Sequence, residues 1–122
     1  MAKRAVGQRI RELGLEGQYE QVLCDSLDLE TASHADTVEL GFIDGAHSLD
    51  YVRSDTIKMA QMMAERGLVF WHDYGGRGSL ADLTAYLERL ASRFPVYRVA
   101  GTTLAWSSAP DIRRALERDQ LK

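Results

Sequence analysis

The chain of 122 residues carries one cysteine, two prolines and no apolar run long enough to cross a bilayer. A lone Cys24 excludes an internal disulfide and a cysteine-based zinc cage, and it fits a reducing compartment. A membrane helix needs ~20 consecutive apolar residues, and no stretch approaches that. The basic start (Lys3, Arg4, Arg9, Arg11) runs into no apolar core segment, so the sequence carries no evident signal peptide. Positive charge is also in short supply: 15 Lys and Arg stand against 18 Asp and Glu, a formal charge of −3. Such a chain lacks the basic field of a nucleic-acid binder. What remains is 45% apolar and 27% charged, a globular profile. The expectation is one soluble, cytoplasmic domain over residues 1–122, without nucleic-acid or membrane partners.

There is no repeat, linker or low-complexity tract. Ala5, Val6, Ile10 and Leu13 fall near helical spacing and stop at Gly14, which predicts an amphipathic helix over 2–14. Residues 19–24 read as a short strand holding a buried Cys24, and a polar segment with His34 and Asp36 follows. Val38 to Ile43 is almost unbroken apolar sequence, as in a strand buried on both faces. Ser48 is placed to cap a helix that Gly67 ends, with Asp50 favouring its positive end. Leu68 to Trp71 is again short and bulky. Strand, helix, strand makes a right-handed βαβ unit. Gly75-Gly76-Arg77-Gly78 reads as a turn, and Ser79 with Asp82 as a capping box. Leu80, Leu83, Leu87, Leu90 and Phe94 give the clearest helical period in the chain, which Pro95 stops. Residues 96–99 and 102–106 form a hairpin, and Pro110 opens a last helix. The fold class is α/β: a mostly parallel sheet with an antiparallel C-terminal hairpin.

Ligands of such sheets bind beyond the carboxyl ends of the strands. Here two strands end in acids, Asp44 and the pair His72-Asp73. If the strands are neighbours ~4.8 Å apart, both carboxylates face one crevice, which a cation or a shared proton must relieve. Oxygen ligands suit Mg²⁺ or Mn²⁺, and an imidazole from His47 or His72 would add a ligand or a general base. The plainer alternative is that each Asp caps a turn through its own backbone. Met59, Met62 and Met63 read as core filler, and nothing forms a Ser-His-Asp arrangement.

The stretches V-E-L-G-F-I-D-G-A-H-S (38–48), G-L-V-F-W-H-D-Y (67–74) and T-T-L-A-W (102–106) resemble the class I S-adenosylmethionine-dependent methyltransferases. The closest likeness is to the small-molecule O-methyltransferase branch with an F-I-D-G-x-H motif, a neighbourhood of macrocin-O-methyltransferase-like and cephalosporin-hydroxylase-like proteins. The resemblance implies a Rossmann-like sheet whose last strand is antiparallel. It implies a divalent metal, Mg or Mn, held by Asp44, His72 and Asp73, with His47 as the base. It also implies cofactor contacts from Asp25, Ser26 and Asp44, the first pair near the adenine. Tyr74 departs from the Asn of the related catechol-methyltransferase pattern.

A larger departure lies upstream. The family's strand, glycine-rich turn and helix have no counterpart before Asp25, since Gly7, Gly14 and Gly17 form no such turn. The sheet is therefore expected to be incomplete, a truncated methyltransferase-like domain. Its strand 38–43 should be an association-prone edge, closed by pairing with residues 19–24 or by a second chain in a homo-oligomer. Methyl transfer to a hydroxyl of a small molecule is the function this implies. The alternatives are a dimerising α/β remnant without cofactor, and a metal-dependent hydrolase using the same acids.

Overall fold

The computed structural model describes residues 6–122. A short helix α1 (Gln8–Glu12) is followed by three single-turn 3₁₀ segments at 16–18, 26–28 and 32–34. The regular part then runs β1 (Val38–Ile43), α2 (Leu49–Met62), β2 (Met63–Trp71), α3 (Ala81–Ala91), β3 (Tyr97–Arg98), β4 (Ala105–Ser108) and α4 (Ala109–Glu117). The strands form one sheet in the order β1-β2-β4-β3. β1 and β2 are parallel, and β4 is antiparallel to both of its neighbours. Three strands therefore point one way and one the other. The incomplete Rossmann-like α/β sheet with an antiparallel C-terminal hairpin is what the chain forms. No helix among the described residues is long and apolar enough to cross a membrane.

Helices α2, α3 and α4 lie on one face. Gly41 and Ile43 of β1, Val69 and Trp71 of β2, and Ala105 and Ser107 of β4 are buried beneath them. α2 packs against α3 and α4, and α4 lies across β2. The period of α3 survives as buried Leu83, Leu87 and Leu90, with Tyr86 between them. Thr56 sits fully buried in α2 and accepts the Trp71 indole N–H at 2.9 Å, while its own hydroxyl donates to the Val52 carbonyl at 2.7 Å. Every polar group in that chain has a partner, as a buried network requires. Tyr86 donates its hydroxyl to the Leu121 carbonyl, tying the C-terminus to the core.

Several boundaries differ from the sequence reading. Residues 19–24 form no strand and pair with no described strand, so β1 remains an edge strand among the described residues. The proposed pairing of 19–24 with 38–43 does not form, and Cys24 is exposed. Local β propensity does not make a strand without a neighbour to complete its hydrogen bonds. Of the first helix only 8–12 is helical, with no buried residue; Ala5 and the positions before it lie outside the described residues. α2 ends at Met62, five residues before Gly67, because Met63 pairs with Val38 and the chain passes directly into β2. The register is irregular between Val38 and Leu40, and Gly67 sits there against the Val38 backbone. The Ser79–Asp82 box does not form: α3 begins at Ala81 with Leu80 as its cap. Ser48 does cap α2 by position, without a side-chain hydrogen bond.

Candidate metal and active site

The β1–β2 ladder runs one step past both strands, where the His72 amide donates to the Ile43 carbonyl at 3.0 Å. That single bond sets Asp44, the residue after β1, beside His72 and Asp73, the residues after β2. Asp73 takes a left-handed backbone conformation, φ 69°, an uncommon one for a residue with a Cβ and one that clusters at functional sites. The next amide, Tyr74, donates to Thr103 on the hairpin at 2.9 Å and holds the turn in place.

Three side chains converge there. Asp44, His47 and Asp73 each present one ligand atom, and the three atoms lie within 4.8 Å of one another. His47 Nε2 is 2.9 Å from Asp73 Oδ2. His72 Nδ1 lies 2.9 Å from Asp73 Oδ1 and 3.4 Å from Asp44 Oδ1. That nitrogen is buried and makes no hydrogen bond. The Asp73 carboxyl is held below its ordinary value of 3.8, chiefly by the His72 imidazole; partial burial opposes this, and the His47 contact adds to it. It is a carboxylate, not half of a proton-sharing acid pair. Two carboxylate oxygens with imidazole nitrogens make a hard to borderline donor set, suited to Mg²⁺, Mn²⁺ or Fe²⁺.

A cleft of about 320 Å³ opens beside Asp44. Leu29, Phe42, Met59 and Met62 supply its apolar wall, and Ser26, Asp55 and Lys58 its polar rim. Ser26 and Asp44, two residues assigned to one ligand from sequence, thus line the same space. Asp25 stands just behind. Its carboxylate accepts the Leu27 amide at 2.9 Å and the Tyr51 hydroxyl at 2.7 Å, which together hold it below the usual range. Lys58 donates to the Ser26 carbonyl at 2.6 Å and also to that of Leu27. Tyr51 and Lys58 of α2 therefore fasten segment 25–28 over the cleft. Sequence reading overlooked both, because only tertiary contact brings them thirty residues back along the chain. A larger open groove, about 700 Å³ between Asp36, Glu65 and α4, lies elsewhere, with Arg113 paired to Asp36 at 2.8 Å.

The glycine loop 75–78 is a turn pinned to α3. Thr84 Oγ1 accepts the Gly75 amide at 3.1 Å and donates to the Gly76 carbonyl at 2.9 Å. His34 belongs to a 3₁₀ turn away from the acids. A family profile described as a methyltransferase domain matches residues 2–74, more than half of the chain. The matched stretch takes in Cys24–Ser26, the whole β1–α2–β2 unit and both acids. No curated protein and no solved structure matches the chain.

Proposed function

The chain belongs to the methyltransferase-domain family, and from that premise we propose that it carries the metal- and acceptor-binding half of an S-adenosylmethionine-dependent O-methyltransferase site. The observation that carries this reading is the meeting of the Asp44 and Asp73 carboxylates at adjacent strand ends, with His72 Nδ1 3.4 Å and 2.9 Å from them and His47 Nε2 2.9 Å from Asp73. The donor set fits a divalent cation, held by Asp44, Asp73 and His72. When bound, such a cation lowers the pKa of a coordinated hydroxyl. The acceptor is a small molecule with a hydroxyl, and the cleft walled by Leu29, Phe42, Met59 and Met62 receives apolar ligand surface.

His47 takes the acceptor proton. With its own proton on Nε2 it donates to Asp73 Oδ2, which fixes the tautomer and leaves Nδ1 as the basic nitrogen. If His47 instead served as a ligand, Nε2 would have to give that proton up. Ser26 and Asp25 stand where the resemblance puts the cofactor's adenine, and Tyr51 and Lys58 orient them. The rest of the work is positioning: bringing acceptor oxygen and methyl donor into line accounts for much of such a rate.

A Mn²⁺ titration followed by thermal unfolding tests the site. The wild type should gain several degrees, and Asp44→Ala, Asp73→Ala and His72→Gln should each lose the gain, whereas His47→Gln keeps it. Equal shifts in wild type and all four variants would remove the metal site. Loss of the gain in His47→Gln with retention in His72→Gln would exchange the two histidines' roles.

The second reading is a non-catalytic α/β module that binds no cofactor. Calorimetry with S-adenosylmethionine separates the two, because a module without cofactor gives no saturable heat.

A further inference from the structure

Two left-handed residues follow β2: Asp73 at φ 69° and Gly75 at φ 86°. Glycine takes that conformation freely. An aspartate keeps it only where its surroundings over-determine the backbone. Here the turn is fixed from two sides. The Tyr74 amide donates to the Thr103 carbonyl of the hairpin at 2.9 Å, and the Gly76 amide closes the turn onto the Asp73 carbonyl at 3.3 Å. From the other side comes a single atom. Thr84 Oγ1, early in α3, accepts the Gly75 amide at 3.1 Å and donates to the Gly76 carbonyl at 2.9 Å. A threonine inside a helix commonly turns its hydroxyl to the carbonyl four residues back, as Thr56 does to Val52. Thr84 gives its proton to the loop instead.

We propose that Thr84 is a positioning residue of the candidate site: its hydroxyl locks the turn after β2 and thereby aims the Asp73 carboxylate. One oxygen of that carboxylate stands 2.9 Å from His47 Nε2 and the other 2.9 Å from His72 Nδ1. Both distances depend on the direction in which the Asp73 Cα–Cβ bond leaves the main chain, and that direction follows φ. A relaxed turn, with residue 73 back at the negative φ that side chains prefer, swings the carboxylate out from between the two imidazoles. Thr84 acts through the turn, not by touching a ligand.

This role is separable from stability. Thr84 is half-buried on a helix whose core contacts come from Leu83, Tyr86, Leu87 and Leu90, so removing its hydroxyl leaves the apolar packing in place. Valine at 84 keeps the outline of the side chain and removes both bonds. Serine keeps both bonds and removes a methyl group. The inference rests on the metal reading of Asp44, Asp73 and His72 given above, and the two fail differently.

Mn²⁺ affinity is the readout, taken from the paramagnetic resonance signal of the free ion well below the unfolding temperature, where global stability does not enter. Thr84→Val should weaken binding about 10–100-fold, the loss usual when the hydrogen-bonded support of a metal ligand is removed. Thr84→Ser should restore it. Tyr86→Phe, on the same helix, loses its bond to the Leu121 carbonyl and should lower the unfolding temperature with the affinity unchanged. Wild-type affinity in Thr84→Val overturns the inference and leaves the metal site standing. So does a serine variant as weak as the valine one, or a Tyr86→Phe protein that binds as poorly. A wild type that takes up no Mn²⁺ removes the metal site and the inference with it. Should Thr84→Val not fold, Thr84→Ala, the better helix former, decides in its place.

Discussion

Two side chains show how far one atom matters in this core. Thr56 spends its hydroxyl on both the Trp71 indole and the Val52 carbonyl. Thr56→Val keeps the shape and strands the indole N–H in apolar surroundings. It should destabilise the protein by about 1–3 kcal/mol, read from urea unfolding with an unchanged m-value. Asp73 is the corresponding residue at the site. Sequence placed it after a strand and allowed it to be a turn former; its positive φ shows that it is one. Its carboxylate nonetheless faces two imidazoles and Asp44, so here the turn is what aims the ligand. Asp44, His47, His72 and Asp73 were all legible as a group, because strand ends can be read from where apolar runs stop. Which histidine reaches which oxygen was not, since that depends on rotamers and on the twist between two strands.

At the level of elements, the passage from α2 to β2 has the tightest tolerance. Gly67 lies where an added Cβ would meet the Val38 carbonyl oxygen at 2.7 Å and would clash with the Met63 methyl. The methyl can move, but the carbonyl belongs to the paired strand. Gly67→Ala should therefore push β1 from β2 and destabilise by about 1–3 kcal/mol, the usual range for overpacking. Because the same ladder sets Asp44 beside Asp73, the substitution should also weaken Mn²⁺-dependent stabilisation, which a thermal shift with and without the ion would register. The sequence reading used Gly67 as a helix stop. Its actual role is close approach between strands, a contact invisible to local propensity. The strand expected at 19–24 failed for the complementary reason: Val22 and Leu23 have the right composition but no adjacent strand, and they stay exposed.

For the whole molecule, stability against pH should form a plateau with two flanks. Asp73 and Asp25 both have folded pKa values below their ordinary 3.8. Their contribution is complete above that value and is lost as pH falls through the lower folded values. The alkaline flank belongs chiefly to Tyr86, which burial raises to about 12 from 10.0, and Tyr51, raised by its hydrogen bond to Asp25, adds to it. An unfolded chain ionises the Tyr86 phenol near 10 while the folded one still holds its proton. Stability is therefore complete below pH 10 and falls by about 2–3 kcal/mol between 10 and 12. Denaturant unfolding of Tyr86→Phe across that range should remove most of this flank, and Asp73→Asn should make the acid one shallower while Asp25 keeps its share.

What the amino-acid order determined unaided was local. The positions of β1 and α3, the start of α2, the acids at the strand ends and the presence of a hairpin, though not its bounds (97–98 and 105–108, not 96–99 and 102–106), follow from where apolar runs begin, repeat and stop, and hydrophobic period is written into neighbouring residues. Tertiary structure alone decided the rest. It left residues 19–24 unpaired, brought Tyr51 and Lys58 back onto 25–28, and put α2, α3 and α4 on one side of the sheet. Each of these is settled by which distant surface is available to be covered, and a chain read in order carries no record of that.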